Sequence, residues 1–158
     1  MHWYQPAADQ GYAPAQFCLG FAYEIGRGVE QSDEGAVQWY RQAADQGKAA
    51  AQFCLGVAYE DGEGVEQSNE EAVQWYRQAA DQGHAAAQFW LGVAYKKGRG
   101  VEQSDEEAVQ WYQLAADQGH EKAQYELTSL RKATTFRDFN PDDDEIGDAF
   151  AAAEAKAA

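Results

Sequence analysis

The chain has 158 residues, with 27 acidic side chains against 12 basic ones, a formal net charge of −15 and a pI near 4.4. A surface this acidic repels nucleic acid and anionic lipid over a Debye length of about 10 Å, which disfavours both and favours a basic or mixed-charge peptide as partner. No apolar run approaches the roughly 18 residues of a membrane span, and Met1-His2-Trp3-Tyr4-Gln5-Pro6 lacks the basic start and apolar stretch of a signal peptide. A soluble, cytoplasmic chain is expected, and two cysteines are too few for a disulfide framework.

Sliding the sequence against itself by 36 residues aligns Trp3, Trp39, Trp75 and Trp111, and likewise Leu19, Leu55, Leu91 and Leu127. Residues 47–82 and 83–118 differ at 8 of 36 positions, so 28 are identical and the unit of structure is the repeat. Residues 1–10 open part-way through a second helix, where Pro6 predicts a short or kinked element. Three repeats follow, 11–46, 47–82 and 83–118, then a terminal half-repeat, 119–133, in which Thr128 replaces a packing glycine; just past it Thr134 replaces the turn glycine.

Each repeat reads as two helices. In the second repeat Ala51, Leu55, Ala58 and Tyr59 share one face of a helix over 49–60, and Ala72, Trp75, Tyr76 and Ala79 share one face of a helix over 69–82. Gly62 and Gly64 mark the reversal between them. Ser68 with Glu71, and Ser104 with Glu107, match a reciprocal capping box, whereas the first repeat has Ser32 with Gly35 and is expected to keep half the cap and fray. Gly56 and Gly92 are small where two helices must touch.

The run Ala51-Gln-Phe-Cys-Leu-Gly-Val-Ala-Tyr59, followed by Gly62-Glu-Gly64-Val65 and Ala72-Val-Gln-Trp75-Tyr76-Arg-Gln-Ala79-Ala80-Asp-Gln-Gly83, resembles the Sel-1-like repeat, a relative of the tetratricopeptide repeat. The resemblance covers residues 1 to about 133. It implies an all-α fold, a right-handed superhelix (solenoid) of antiparallel helix pairs, whose concave surface serves as a protein-protein interaction adaptor. Spacing alone supports stacked helical hairpins.

The stripe through positions 18, 22 and 25, repeated at 54, 58, 61 and 90, 94, 97, lies off the Leu and Tyr core face, and the resemblance puts it on the concave surface. It offers Cys18, Ile25, Cys54, Asp61, Trp90 and Lys97, with Arg99 nearby, as a peptide-binding groove with Trp90 as apolar anchor. The bland alternative is that Trp90 fills a gap beneath the neighbouring repeat. Glu60, Asp61 and Glu63 are expected to face Lys96, Lys97 and Arg99 one repeat on, Trp39, Trp75 and Trp111 to pack in the core, and Cys18 and Cys54 to be free thiols. His84 and His120 read as solvent-exposed.

Residues 134–158 form an acidic tail. From 138 onward it carries seven acids against Lys156, a net −6. It reads either as a solvated end or as a docking helix anchored by Phe136, Phe139, Ile146 and Phe150, which makes a self-assembling homo-oligomer or an autoinhibited module the main alternative function. No catalytic motif, metal-ligand spacing or cofactor signature appears, so an enzyme is not expected. Cysteine-rich bacterial relatives that carry paired cysteines in each repeat leave a weak hydrolase or penicillin-binding protein as a minor alternative, although the pairing is missing here.

Overall fold

The computed structural model of the protein describes residues 3–137, with side chains as far as residue 135. Eight helices follow one another: α1 (Tyr4–Asp9), α2 (Ala13–Ile25), α3 (Asp33–Asp45), α4 (Ala49–Asp61), α5 (Asn69–Asp81), α6 (Ala85–Lys97), α7 (Asp105–Asp117) and α8 (Glu121–Arg137). There is no strand among the described residues. Each helix packs on the helices before and after it in sequence, the one-dimensional arrangement of a repeat array.

The pairs α2/α3, α4/α5 and α6/α7 are hairpins whose close approach is set by glycine. A Cβ added to Gly56 would lie 2.4 Å from the ring of Tyr76, and one on Gly92 would lie 2.7 Å from Tyr112. The tyrosine ring therefore occupies the volume that any side chain at these positions would need. Tyr40, Tyr76 and Tyr112 are almost fully buried, whereas the adjoining Trp39, Trp75 and Trp111 are half-buried and pack on the outside of the preceding cluster. The aromatic at the centre of each hairpin is thus the tyrosine, not the tryptophan, because the tyrosine faces the glycine.

The loop after α4 crosses back to the preceding repeat. A Cβ on Gly64, whose φ is +71°, would fall 2.4 Å from the Asp33 carbonyl oxygen, so this contact requires glycine twice over. Buried glutamines tie the repeats together. The Gln52 amide donates to the Ala44 carbonyl (3.2 Å) and its oxygen accepts from Gln82 (2.7 Å), so one side chain joins α3, α4 and the end of α5.

Two expectations require correction. The capping boxes are not reciprocal: Ser68 Oγ accepts the Glu71 N–H (3.2 Å), but the Ser68 N–H is already given to the Tyr59 carbonyl (2.9 Å). The glutamate has no donor to reach, and Ser32 caps Gly35 just as well at 3.0 Å. Second, α8 passes residue 133 without a break: Thr134 stands where the earlier repeats reverse at a glycine, and it stays helical with its hydroxyl donated to the Leu130 carbonyl. As Pro6 predicts, α1 is short, and the proline stands in its first turn, where the missing N–H has no helical partner. The proposed docking residues Phe139, Ile146 and Phe150 lie outside the described residues, as does the side chain of Phe136.

Candidate functional site

A cleft recurs where the first helix of one repeat lies against the second helix of the repeat before, between α1 and α2, α3 and α4, and α5 and α6. Between α3 and α4 it is floored by Ala36, Val37 and Tyr40 on one side and Phe53, Cys54, Val57 and Ala58 on the other. Glu24 from the end of α2, Asp33 from the start of α3 and Glu63 from the Gly62–Gly64 loop form its rim, and its volume is about 180 Å³. Between α5 and α6 the matching positions Glu60, Asn69, Ala72, Val73, Tyr76, Trp90, Val93, Ala94 and Arg99 line the same place, but only about 10 Å³ remains.

Trp90 makes the difference. Its indole packs on the cluster of Ala72, Val73, Tyr76 and Ala94, with its ring edge-on to Phe89 at 5.3 Å. At the first edge of the array the corresponding position is Cys18, in an open cleft bounded by Tyr4, Phe17, Phe21 and Arg27. At the last it is Glu126, ion-paired to Lys96. One repeat position therefore carries Cys, Cys, Trp and Glu along the array, while the neighbouring Leu19, Leu55, Leu91 and Leu127 do not change.

Charge differs between the clefts too. Glu60 accepts the Tyr76 hydroxyl (2.6 Å) and has Arg99 at 3.8 Å. Glu24 accepts the Tyr40 hydroxyl, but Glu24, Asp33 and Glu63 make no ion pair; those among the described residues are Lys96–Glu126 and Arg99–Glu60. Burial, followed by the bond to Glu24, raises the Tyr40 pKa. Burial and then the charge of Glu24 push the Cys54 thiol up to about 12, so at neutral pH it is a protonated, weakly nucleophilic wall of the cleft. Both cysteines are free, and no group of three metal-ligating side chains converges among the described residues.

Of the residues named from the sequence, Trp90 and Arg99 come together at one cleft, and Cys18 and Cys54 occupy its equivalents. Ile25, Asp61 and Lys97 sit exposed at the C-terminal ends of α2, α4 and α6, outside the cleft linings. The expected face-off of acidic and basic turns is half made: Arg99 meets Glu60, but Lys96 turns to Glu126 in α8. Glu24, Asp33 and Glu63 were not singled out as site residues. The exchange of Glu63 for Arg27 and Arg99 at one repeat position is the sequence signal that points to them.

His84 and His120 are half-buried, contrary to the exposed reading. Each caps a helix through Nδ1, which accepts the Ala87 or Ala123 N–H at 3.2 Å, and each stacks on a phenylalanine, Phe53 at 5.0 Å and Phe89 at 4.8 Å. Burial lowers the His84 pKa below its ordinary 6.5. The unfolded chain then binds the proton first, so the stability owed to neutral His84 is present above pH 6.5 and is lost as pH falls below it. Urea midpoints across this range are expected to fall more steeply for the wild type than for His84→Asn, which keeps a capping side chain and does not titrate. Equal slopes would exclude His84 as the source.

A model of the Sel1 repeat matches residues 1–12, 13–48, 49–84 and 85–120. The chain belongs to the Sel1 repeat family. Among solved structures, this Sel1 repeat chain is similar to c5321, a protective antigen of uropathogenic Escherichia coli strains that displays an SLR fold, with 44% identity and a TM-score of 0.77 over 78% of this chain. It is similar also to a Sel1 repeat protein from Oxalobacter formigenes, with 44% identity and a TM-score of 0.73 over 75% of this chain. The chain spans 26% of the first of these proteins and 47% of the second. Cysteine rich protein B of Helicobacter pylori, at 24% identity, a TM-score of 0.61 and coverage of 75% of this chain and 90% of that one, shares the fold. No curated protein matches. Sel1 repeats are generally protein–protein interaction modules, and mostly non-catalytic scaffolds.

Proposed function

We propose that this chain is an adaptor that holds a peptide segment of a partner protein along the row of inter-repeat clefts. The observation that supports this reading is variation at the clefts: Leu19, Leu55, Leu91 and Leu127, and Tyr40, Tyr76 and Tyr112, of the frame repeat without change, while the cleft position runs Cys18, Cys54, Trp90, Glu126. A purely structural array has no need to change the side chain at equivalent cleft positions. The rim charges alternate as well, with Arg27 at the first cleft, Glu63 at the second and Arg99 at the third. A rigid array presenting a fixed order of charge selects a complementary segment at low ordering cost. Lys97, exposed beside the third cleft, and Arg99 are assigned to an acidic feature of the partner, and Trp90, half-buried in that cleft, is assigned as the apolar anchor.

A display library of random peptides selected on the immobilised chain is expected to return a consensus. Its members should lose about tenfold or more in affinity when Lys97→Glu or Trp90→Ala is introduced. Selection without a consensus, or peptides indifferent to both substitutions, would sink the adaptor reading.

A further inference from the structure

We infer that the cleft at Cys54 takes one aromatic side chain of the partner segment, and that Glu24, Asp33 and Glu63 hold a lysine or arginine beside it. The inference rests on the adaptor reading and names the chemistry of the partner.

The protein supplies the occupant itself one repeat later. Tyr40 and Tyr76, Ala36 and Ala72, Val37 and Val73, Val57 and Val93 are the same residues at the same places, so the two clefts have the same walls. With Trp90 present the space shrinks to about 10 Å³; with Cys54 in its place about 180 Å³ is open. An apolar cavity of about 150 Å³ accepts a benzene ring, so the open cleft has room for one aromatic side chain. Its floor is apolar and aromatic, and the Cys54 thiol is protonated, so nothing in it asks for a charged or metal-bound group.

The rim follows the same logic. The filled cleft contains an indole together with a guanidinium, Arg99, set against Glu60 at 3.8 Å. The open cleft lacks both groups. Where Arg99 and Asn69 stand in one, Glu63 and Asp33 stand in the other, so three carboxylates face a cleft with no cation of its own. An aromatic residue next to a basic one restores both missing parts from outside.

The test uses the whole chain and two probes, acetyl-Trp-Lys-amide and acetyl-Trp-Glu-amide, followed by backbone amide shifts. The Trp-Lys probe is expected to shift Val37, Cys54 and Val57 and to bind about tenfold tighter than Trp-Glu, a preference that shrinks with added salt. Cys54→Trp should abolish binding by filling the cleft, and Trp90→Cys should open a second site around Val73 and Val93. Glu63→Arg, on an exposed loop, copies Arg99 and should abolish the preference for lysine without touching the core. Equal binding of the two probes, or binding that survives Cys54→Trp in a folded protein, would overturn the inference. Library peptides that respond to Lys97→Glu but not to Cys54→Trp would also overturn it while leaving the adaptor reading intact. Probe binding at Cys54 without any library consensus would support the cleft and count against the adaptor.

Discussion

Replacing Gly56 by alanine is expected to lower the stability of the array by about 1 to 3 kcal/mol, the ordinary cost of overpacking a filled core. On helix propensity alone the change is favourable by about 1 kcal/mol, because glycine is the poorer helix former. The two effects have opposite signs, and geometry decides between them. The new methyl would stand 2.4 Å from Cδ1 and Cε1 of Tyr76, a ring only 2% exposed and held by its hydroxyl to Glu60. It cannot swing aside without leaving both the core and its hydrogen bond. Urea unfolding of Gly56→Ala in two backgrounds separates the terms. In the wild type the midpoint should fall; in Tyr76→Ala, where the ring is gone, the same substitution should be neutral or stabilising. A wild-type midpoint that rises would show that the ring yields and that the glycine is not required for close packing.

Tyr76→Ala itself is expected to cost about 3 to 5 kcal/mol, the range for truncating a buried aromatic side chain. The hydroxyl's share can be separated from the ring's because the repeats differ there. Tyr76 donates to the Glu60 carboxylate at 2.6 Å, and a hydrogen bond to a charged group contributes about 1.5 to 3 kcal/mol, so Tyr76→Phe should be measurably destabilised. The Tyr112 hydroxyl is buried without a partner among the described residues, because Lys96, in the place of Glu60, is engaged with Glu126. Tyr112→Phe is therefore expected to be neutral or slightly stabilising, since it removes an unsatisfied buried group. Equal losses for the two Tyr→Phe variants, read from denaturant midpoints, would show that the hydroxyl partners do not matter.

The contrast between Tyr76 and Tyr112 shows how far the repeat can be read from sequence. The 36-residue period, the two helices in each repeat, the glycine reversals and the serine caps are all legible, because each depends on neighbours a few residues apart or on simple recurrence. The all-helical array and the touching role of Gly56 and Gly92 follow from the same signals. What fails is what depends on a partner elsewhere. The capping glutamate Glu71 finds no donor because Ser68 gives its N–H to Tyr59, across the hairpin loop. His84 looks exposed in sequence and is half-buried because Phe53 of the preceding repeat comes under its ring.

Sequence alone determined the frame of this protein: its period, its helices and, among the few positions that vary, the break at Cys18, Cys54, Trp90 and Glu126. Only the tertiary structure decided what that break means. A cleft is the volume left between α3 and α4 once their other side chains are packed, and volume is a property of two surfaces brought together. The same holds for charge, since Glu24, Asp33 and Glu63 come from separate elements and meet at one rim only when the loop at Gly64 closes on the start of α3.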